Sequence, residues 1–143
     1  MQVREVDVAI IGAGTAGMTA YRIAREHTDN LLVIESSHYG TTCARVGCMP
    51  SKLLIAAAEV NHQIGEAGKF GIDVSSSTVD GARVMARVKA ERDRFVGFVE
   101  EAVDDWPAEH KLWGKAKFVG PNELMVDGGV RVIAKRIVIA AGT

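Results

Sequence analysis

The period of hydrophobic and polar positions changes several times along this chain. Val6–Ile11 (VDVAII) is a short β-branched run, the kind buried between layers in a parallel sheet. A glycine- and alanine-rich stretch follows at Gly12–Gly17, and Met18–Glu26 then carries apolar residues at helical spacing. Leu31–Ile34 (LLVI) is a second buried-strand candidate, ending on Glu35. Strand, glycine turn, helix and strand in about 35 residues predict a βαβ unit.

Ser36–Gly47 is polar and reads as a loop. Leu53, Leu54, Ala57, Ala58 and Ile64 predict a second helix, from Cys48 or Pro50 to about Gly65. Gly65–Ser77 reads as loop, with a short extended piece at Ile72–Val74. Asp80 is placed to N-cap a long amphipathic helix whose apolar positions are Val84, Val88, Phe95, Val99, Ala102 and Trp106. Charges fill its other face, as on a solvated helix resting on a core. After Pro107 the period becomes two. Leu112–Val119, Glu123–Val126 and Val130–Ile133 predict an antiparallel meander that turns at Asp127-Gly128-Gly129. Arg136–Ala140 (RIVIA) is a further buried strand. The pattern predicts one α/β domain, a parallel sheet with flanking helices and a small β-meander at about 112–133.

Composition narrows the function classes. With 143 residues, 48% of them apolar, the chain can build one core but not two domains of ordinary size. Seventeen Lys and Arg against eighteen Asp and Glu argue against a basic nucleic-acid face. Two cysteines are too few for a disulfide-rich secreted scaffold. The longest stretch without Asp, Glu, Lys or Arg, Val8–Tyr21, is too short and glycine-rich to span a bilayer. No basic-then-apolar leader opens the chain. The expectation is a soluble cytoplasmic protein with no nucleic-acid or membrane partner.

Two motifs carry chemistry. Gly12, Gly14 and Gly17 match a dinucleotide-binding fingerprint. The first glycine allows the tight turn, the second lets the backbone approach a pyrophosphate, and the third lets helix and strand pack closely. The helix N-terminus offers free N–H groups and partial positive charge to the phosphates. Glu35 ends the second strand, where a carboxylate can accept from ribose hydroxyls and repel a 2′-phosphate. These residues alone do not choose between NAD and FAD. A glycine-rich turn without a ligand is the bland alternative.

Cys43 and Cys48 form the second motif, with four residues between them in Gly40–Lys52 (GTTCARVGCMPSK). Two thiolates alone cannot complete a tetrahedral zinc site, so no metal is expected. Redox exchange fits better. Cys48 starts a predicted helix, where the dipole favours a thiolate, and Lys52 adds positive charge one turn along. Pro50 costs little in a first helical turn. The alternative is a pair of inert core thiols.

The stretch Gly40–Lys52 resembles the signature of class I pyridine nucleotide–disulfide oxidoreductases, usually GGTCxNxGCxPSK. The closing run Arg136–Thr143 (RIVIAAGT) is similar to the second FAD motif of that family. The resemblance implies a Rossmann-like FAD-binding domain over 1–143, the front of a larger flavoenzyme, with nicotinamide-binding and dimerisation domains absent. It implies FAD, with the pyrophosphate along Gly12, Gly14, Ala16 and Gly17 and the ribose at Glu35. Thr42 and Lys52 match flavin-side positions, Ala116 an adenine-side backbone position, and Ala141 and Gly142 cofactor contacts of the closing strand. Cys43 would be the interchange thiol and Cys48 the flavin-facing one.

The implied reaction converts dihydrolipoamide and NAD+ to lipoamide and NADH, with NAD+ as co-substrate. Ser51 resembles the dihydrolipoamide or mercuric branch rather than glutathione reductase, and the region from Gly40 and the helix Asp80–Trp106 most resemble dihydrolipoamide dehydrogenases. A lipoyl-bearing protein or a small disulfide or dithiol would be the partner, in a homodimer, and the fragment alone would not turn over. Mercuric ion or another disulfide is the alternative substrate, and a stand-alone nucleotide-binding module the alternative class. Thr41 stands where the family has a second glycine, and Arg45 where it has Asn. The general base of the family is a His–Glu pair in the partner subunit. His27, His38, His62 and His110 do not match it, and all four read as surface or capping residues.

Overall fold

The computed structural model describes residues 2–142. The chain divides into two compact units, one made of residues 1–41 and 99–143, the other of Thr42–Phe98.

The first unit is built on a six-stranded sheet. Strands β1 (Gln2–Ile11), β2 (Leu31–Glu35), β3 (Lys111–Trp113), β4 (Ala116–Gly120), β5 (Glu123–Val126) and β6 (Val130–Ile139) lie in the order β3-β2-β1-β6-β5-β4. β3, β2, β1 and β6 pair in parallel, while β4, β5 and β6 pair antiparallel. The fold is therefore the predicted α/β class with a parallel sheet and a β-meander.

In β2 successive side chains point to opposite faces, and both faces are covered. Leu31 and Val33 join Ile10, Ala13 and Tyr21 in one cluster, packed by helix α1 (Thr15–Arg25). Leu32 and Ile34 join Val6, Ala9, Leu124, Val126, Val132 and Ala134 in the other. Burial on both faces is why LLVI is an unbroken apolar run. Leu124 and Val126 belong to β5, and Val6 and Ala9 of β1 with Val132 and Ala134 of β6 lie between them and β2 in the same cluster. Leu124 is wholly buried. Leu124→Ala is expected to cost about 2–5 kcal/mol in denaturant unfolding; a loss under about 1 kcal/mol would contradict this packing.

The sequence expectation needs three corrections here. Leu112–Val119 is not one antiparallel strand. It breaks at Gly114, whose N–H donates to the Glu35 carbonyl, while the Lys115 N–H donates to the Asp127 carboxylate. β3 therefore extends the parallel sheet and β4 begins the meander. Val130–Ile133 and Arg136–Ala140 are not two strands either. They are one ten-residue strand whose first half serves both the meander and β1 and whose second half pairs with the end of β1. Third, His110 is buried, not a surface residue. The Asp29 carbonyl can only accept, so His110 Nε2 carries the proton and donates to it at 2.9 Å. Nδ1 then accepts from the Tyr21 hydroxyl at 3.0 Å and from Arg25. Tyr21 also stacks on Trp106, with ring centroids 3.8 Å apart.

The second unit is helical. A short helix α2 (Thr42–Val46) precedes α3 (Cys48–Glu66), and a 3₁₀ turn follows at Ala67–Phe70. α2 replaces the end of the expected Ser36–Gly47 loop, and Ile72–Val74 forms no strand. The long helix α4 (Gly81–Asp104) runs through this unit and gives its last turns to the first. Asp80 caps it as expected, its carboxylate accepting from the Arg83 N–H at 3.0 Å. No helix among the described residues is long and apolar enough to cross a membrane.

Candidate functional site

In the first unit the turn between β1 and α1 is shaped by two glycines that no other residue could replace. Gly12 has φ +102°, and a Cβ there would lie 2.2 Å from the Ala140 carbonyl oxygen. A Cβ on Gly17 would lie 1.9 Å from the Gly12 carbonyl oxygen. One glycine thus lets the turn meet the closing strand, and the other lets α1 begin against the turn. Gly14 differs. A Cβ there would meet nothing within 4 Å, and its φ of −81° suits any residue. The protein's own packing does not demand glycine at this position, whereas a ligand lying on the backbone would.

Gly14 is the N-cap of α1, with no side-chain cap and no acidic residue in the first turn. The first-turn amides, which include those of Ala16 and Gly17, have no carbonyl partner within the helix. They present partial positive charge to an anion.

Glu35 ends β2 beside this turn. Its Oε2 accepts from the Ala13 N–H at 2.8 Å, and Oε1 accepts from Ser36 N–H at 2.8 Å and Ser37 N–H at 2.9 Å. Three of a carboxylate's roughly four acceptor positions are thereby filled, leaving about one for a ribose hydroxyl. The Gly12 N–H donates to the Ile34 carbonyl and the Ala140 N–H to the Ile11 carbonyl, which locks β2, the turn and the closing strand together. Ala141 and Gly142 continue from that strand and are exposed. Ala116 opens β4 opposite Val126, two residues after Gly114 contacts the Glu35 carbonyl. These residues fit a dinucleotide: a cradle at Gly14, free helix amides and an acid at the second strand's end.

Periodicity gives no sign of Tyr39 and Trp113. Their rings meet edge to face at 5.4 Å. Burial, then the carboxylates of Glu35 and Asp104, push the Tyr39 phenol above its ordinary value. An aromatic residue in a polar loop was the only signal available.

In the second unit Cys43 and Cys48 are joined in a disulfide, with Cα atoms 4.7 Å apart. Cys43 sits on α2 and is half-buried; Cys48 is the first residue of α3 and is exposed. Gly47 N-caps α3 without a side-chain bond, and no acidic residue lies in its first turn. The Ser51 hydroxyl donates to the Cys48 carbonyl at 3.0 Å. Thr42 begins α2, and Lys52 stands one turn into α3; both are exposed. No group of three or more metal-ligating side chains occurs among the described residues.

A glycine turn that fits a dinucleotide, on a parallel sheet, and a helix-borne disulfide mark an α/β protein with the features of a disulfide oxidoreductase. The pattern of the pyridine nucleotide-disulphide oxidoreductases matches residues 6–143, and the chain belongs to that family of flavoprotein oxidoreductases. It is similar to a glutathione reductase of Burkholderia cepacia, 32% identical over 99% of this chain and 31% of the relative. A dihydrolipoyl dehydrogenase of Mycoplasma pneumoniae is 32% identical over 96% of this chain and 30% of its own length. A mercuric reductase of Shigella flexneri is 36% identical over 94% of this chain and 25% of its own length. The chain spans less than a third of each of these relatives.

Proposed function

We propose that this chain is the FAD-binding front portion of a dithiol–disulfide oxidoreductase that oxidises dihydrolipoyl groups with NAD+. The observation that carries the redox reading is the Cys43–Cys48 disulfide at the uncapped N-terminus of α3. The amides of Gly12, Gly14, Ala16 and Gly17 would hold the pyrophosphate and Glu35 a ribose hydroxyl. Backbone at Ala116, Ala141 and Gly142 would add contacts, and Thr42 and Lys52 would serve the flavin end. FAD, when bound, supplies two-electron transfer between the cysteine pair and a nicotinamide.

The chain's own step is thiol–disulfide exchange. A dihydrolipoyl thiolate attacks Cys43 Sγ, the Cys43–Cys48 bond breaks, and Cys48 leaves as a thiolate. The second dihydrolipoyl thiolate then attacks the mixed disulfide and releases Cys43. The lipoyl group ends as a cyclic disulfide, and the cysteine pair holds its two electrons. A base from a partner subunit would accept the protons in a homodimer. A cytoplasmic location suits such cycling, because reductants there keep exchange reversible.

The similarity to a dihydrolipoyl dehydrogenase supports this substrate, and Ser51 fits the dihydrolipoyl and mercuric branches alike. The glutathione reductase, 32% identical, and the mercuric reductase, 36% identical, support a second reading in which another small disulfide or mercuric ion is reduced. A nucleotide-binding module with inert cysteines is the reading from another class. The test is stoichiometric. Oxidised chain mixed with dihydrolipoamide should yield one lipoamide and two titratable thiols per chain. A chain with two free thiols under air, or a disulfide that dihydrolipoamide leaves intact, would sink the redox reading. Exchange with glutathione but not with dihydrolipoamide would favour the second substrate class.

A further inference from the structure

The proposed FAD site has a place for the pyrophosphate at the β1–α1 turn and for the ribose at Glu35, and leaves the base without a side-chain partner. Ile11 is the register partner of Ile34, and Glu35 is the register partner of Trp113. Gly12, Glu35 and Trp113 therefore stand in one row across the carboxyl ends of three adjacent parallel strands, β1, β2 and β3. Each step along that row is about 4.8 Å. Phosphate, ribose and base follow one another in the same order along a nucleotide. A ligand that starts at Gly12 and passes Glu35 reaches β3 next, in the crevice where open parallel sheets bind ligands.

Trp113 also lies on the required face. Register partners on neighbouring parallel strands carry their side chains on the same side of the sheet. Glu35 comes two residues after Val33, which packs with Ala13 and Tyr21 under α1. On that face Glu35 accepts from the Ala13 N–H at 2.8 Å. Tyr39 packs against the same cluster, and its ring meets the Trp113 indole at 5.4 Å. The Gly114 N–H donates to the Glu35 carbonyl at 2.8 Å and ties the end of β3 to β2. Trp113 is thus held beside Glu35 by its backbone and by Tyr39. Yet 54% of its surface stays exposed, and among the described residues no strand lies beyond β3. A large aromatic surface, fixed in place and open, is what a stacked base requires. The other tryptophan, Trp106, is already stacked on Tyr21.

We infer that Trp113 is the platform on which the adenine of the bound dinucleotide stacks. The assignment rests on the proposed FAD site and names the residue that holds its base. Stacking there also removes from water the apolar indole surface that the fold leaves open.

ADP, which carries pyrophosphate, ribose and adenine without the flavin, is titrated into the chain by calorimetry and by tryptophan fluorescence. Wild type should bind it with quenching of the indole emission, and inorganic pyrophosphate should bind without that quenching. Trp113→Ala should weaken ADP binding about tenfold or more and leave pyrophosphate binding unchanged. Trp113→Phe keeps an aromatic face, so ADP should bind within about threefold of wild type while the quenching disappears. Equal ADP affinity in wild type and Trp113→Ala would overturn the inference, and so would quenching that survives Trp113→Phe. A parallel loss of ADP and pyrophosphate binding in Trp113→Ala would overturn it too, because a stacking residue does not reach the phosphates. ADP held equally well with or without Trp113 leaves the cofactor site standing and removes only Trp113 from it. A wild-type chain that binds no ADP defeats the FAD site and the inference together.

Discussion

Gly17→Ala is expected to destabilise the chain by at least about 3 kcal/mol, the scale of overpacking against rigid backbone. The added methyl would sit 1.9 Å from the Gly12 carbonyl oxygen, and backbone cannot swing aside as a side-chain tip can. Gly12→Ala should be similarly severe, since it combines φ +102° with an approach of 2.2 Å to the Ala140 oxygen. Gly14→Val is the informative contrast. With φ −81° and open space beyond, it should alter unfolding free energy by less than about 1 kcal/mol. It should nonetheless weaken FAD binding at least about tenfold, because its side chain would project into the space assigned to the pyrophosphate. Denaturant unfolding separates the first effect, and flavin fluorescence titration the second. Equal destabilisation by Gly14→Val and Gly17→Ala would overturn the division between packing and ligand glycines. Unchanged FAD affinity in Gly14→Val would move the pyrophosphate elsewhere.

Cys43→Ser and Cys48→Ser should each lower dithiol oxidation by about three orders of magnitude or more, since neither serine can complete a disulfide. The two variants should fail differently. Cys48→Ser leaves the proposed interchange thiol in place. With an excess of a small disulfide it should accumulate a stable mixed disulfide on Cys43, with no neighbour to resolve it. Cys43→Ser should form its adduct on Cys48 in the chain without FAD, where Cys48 is exposed. Bound FAD should suppress that adduct if Cys48 is the flavin-facing thiol. Peptide mass spectrometry after quenching reads both. An adduct on Cys48 that bound FAD does not diminish would reverse the assigned roles of the two cysteines.

Much of the candidate site was legible along the chain because its parts are local. Gly12, Gly14 and Gly17 fall within one turn, and Glu35 ends the next strand. Cys43 and Cys48 are close enough in sequence to pair without help from distant segments. Such features depend on backbone geometry over a few residues, so spacing alone reveals them. An unbroken apolar run likewise marked β2, and a capping aspartate followed by apolar residues at helical spacing marked the start of α4.

What depended on distant partners was not legible. Lys111–Trp113 and Ala116–Gly120 have the same alternating pattern, yet one extends the parallel sheet and the other turns into the meander. The decision rests on hydrogen bonds from Gly114 to Glu35 and from Lys115 to Asp127. His110 looks like any surface histidine until Asp29, Tyr21 and Arg25 converge on its ring. By itself the sequence determined the α/β class and the glycine turn, while the pairing of Cys43 with Cys48 was what the family resemblance implied. Only the tertiary structure decided that Gly12 and Gly17 answer to backbone contacts while Gly14 faces open space. A glycine in a sequence says that a side chain is missing, and only the surrounding atoms say what takes its place.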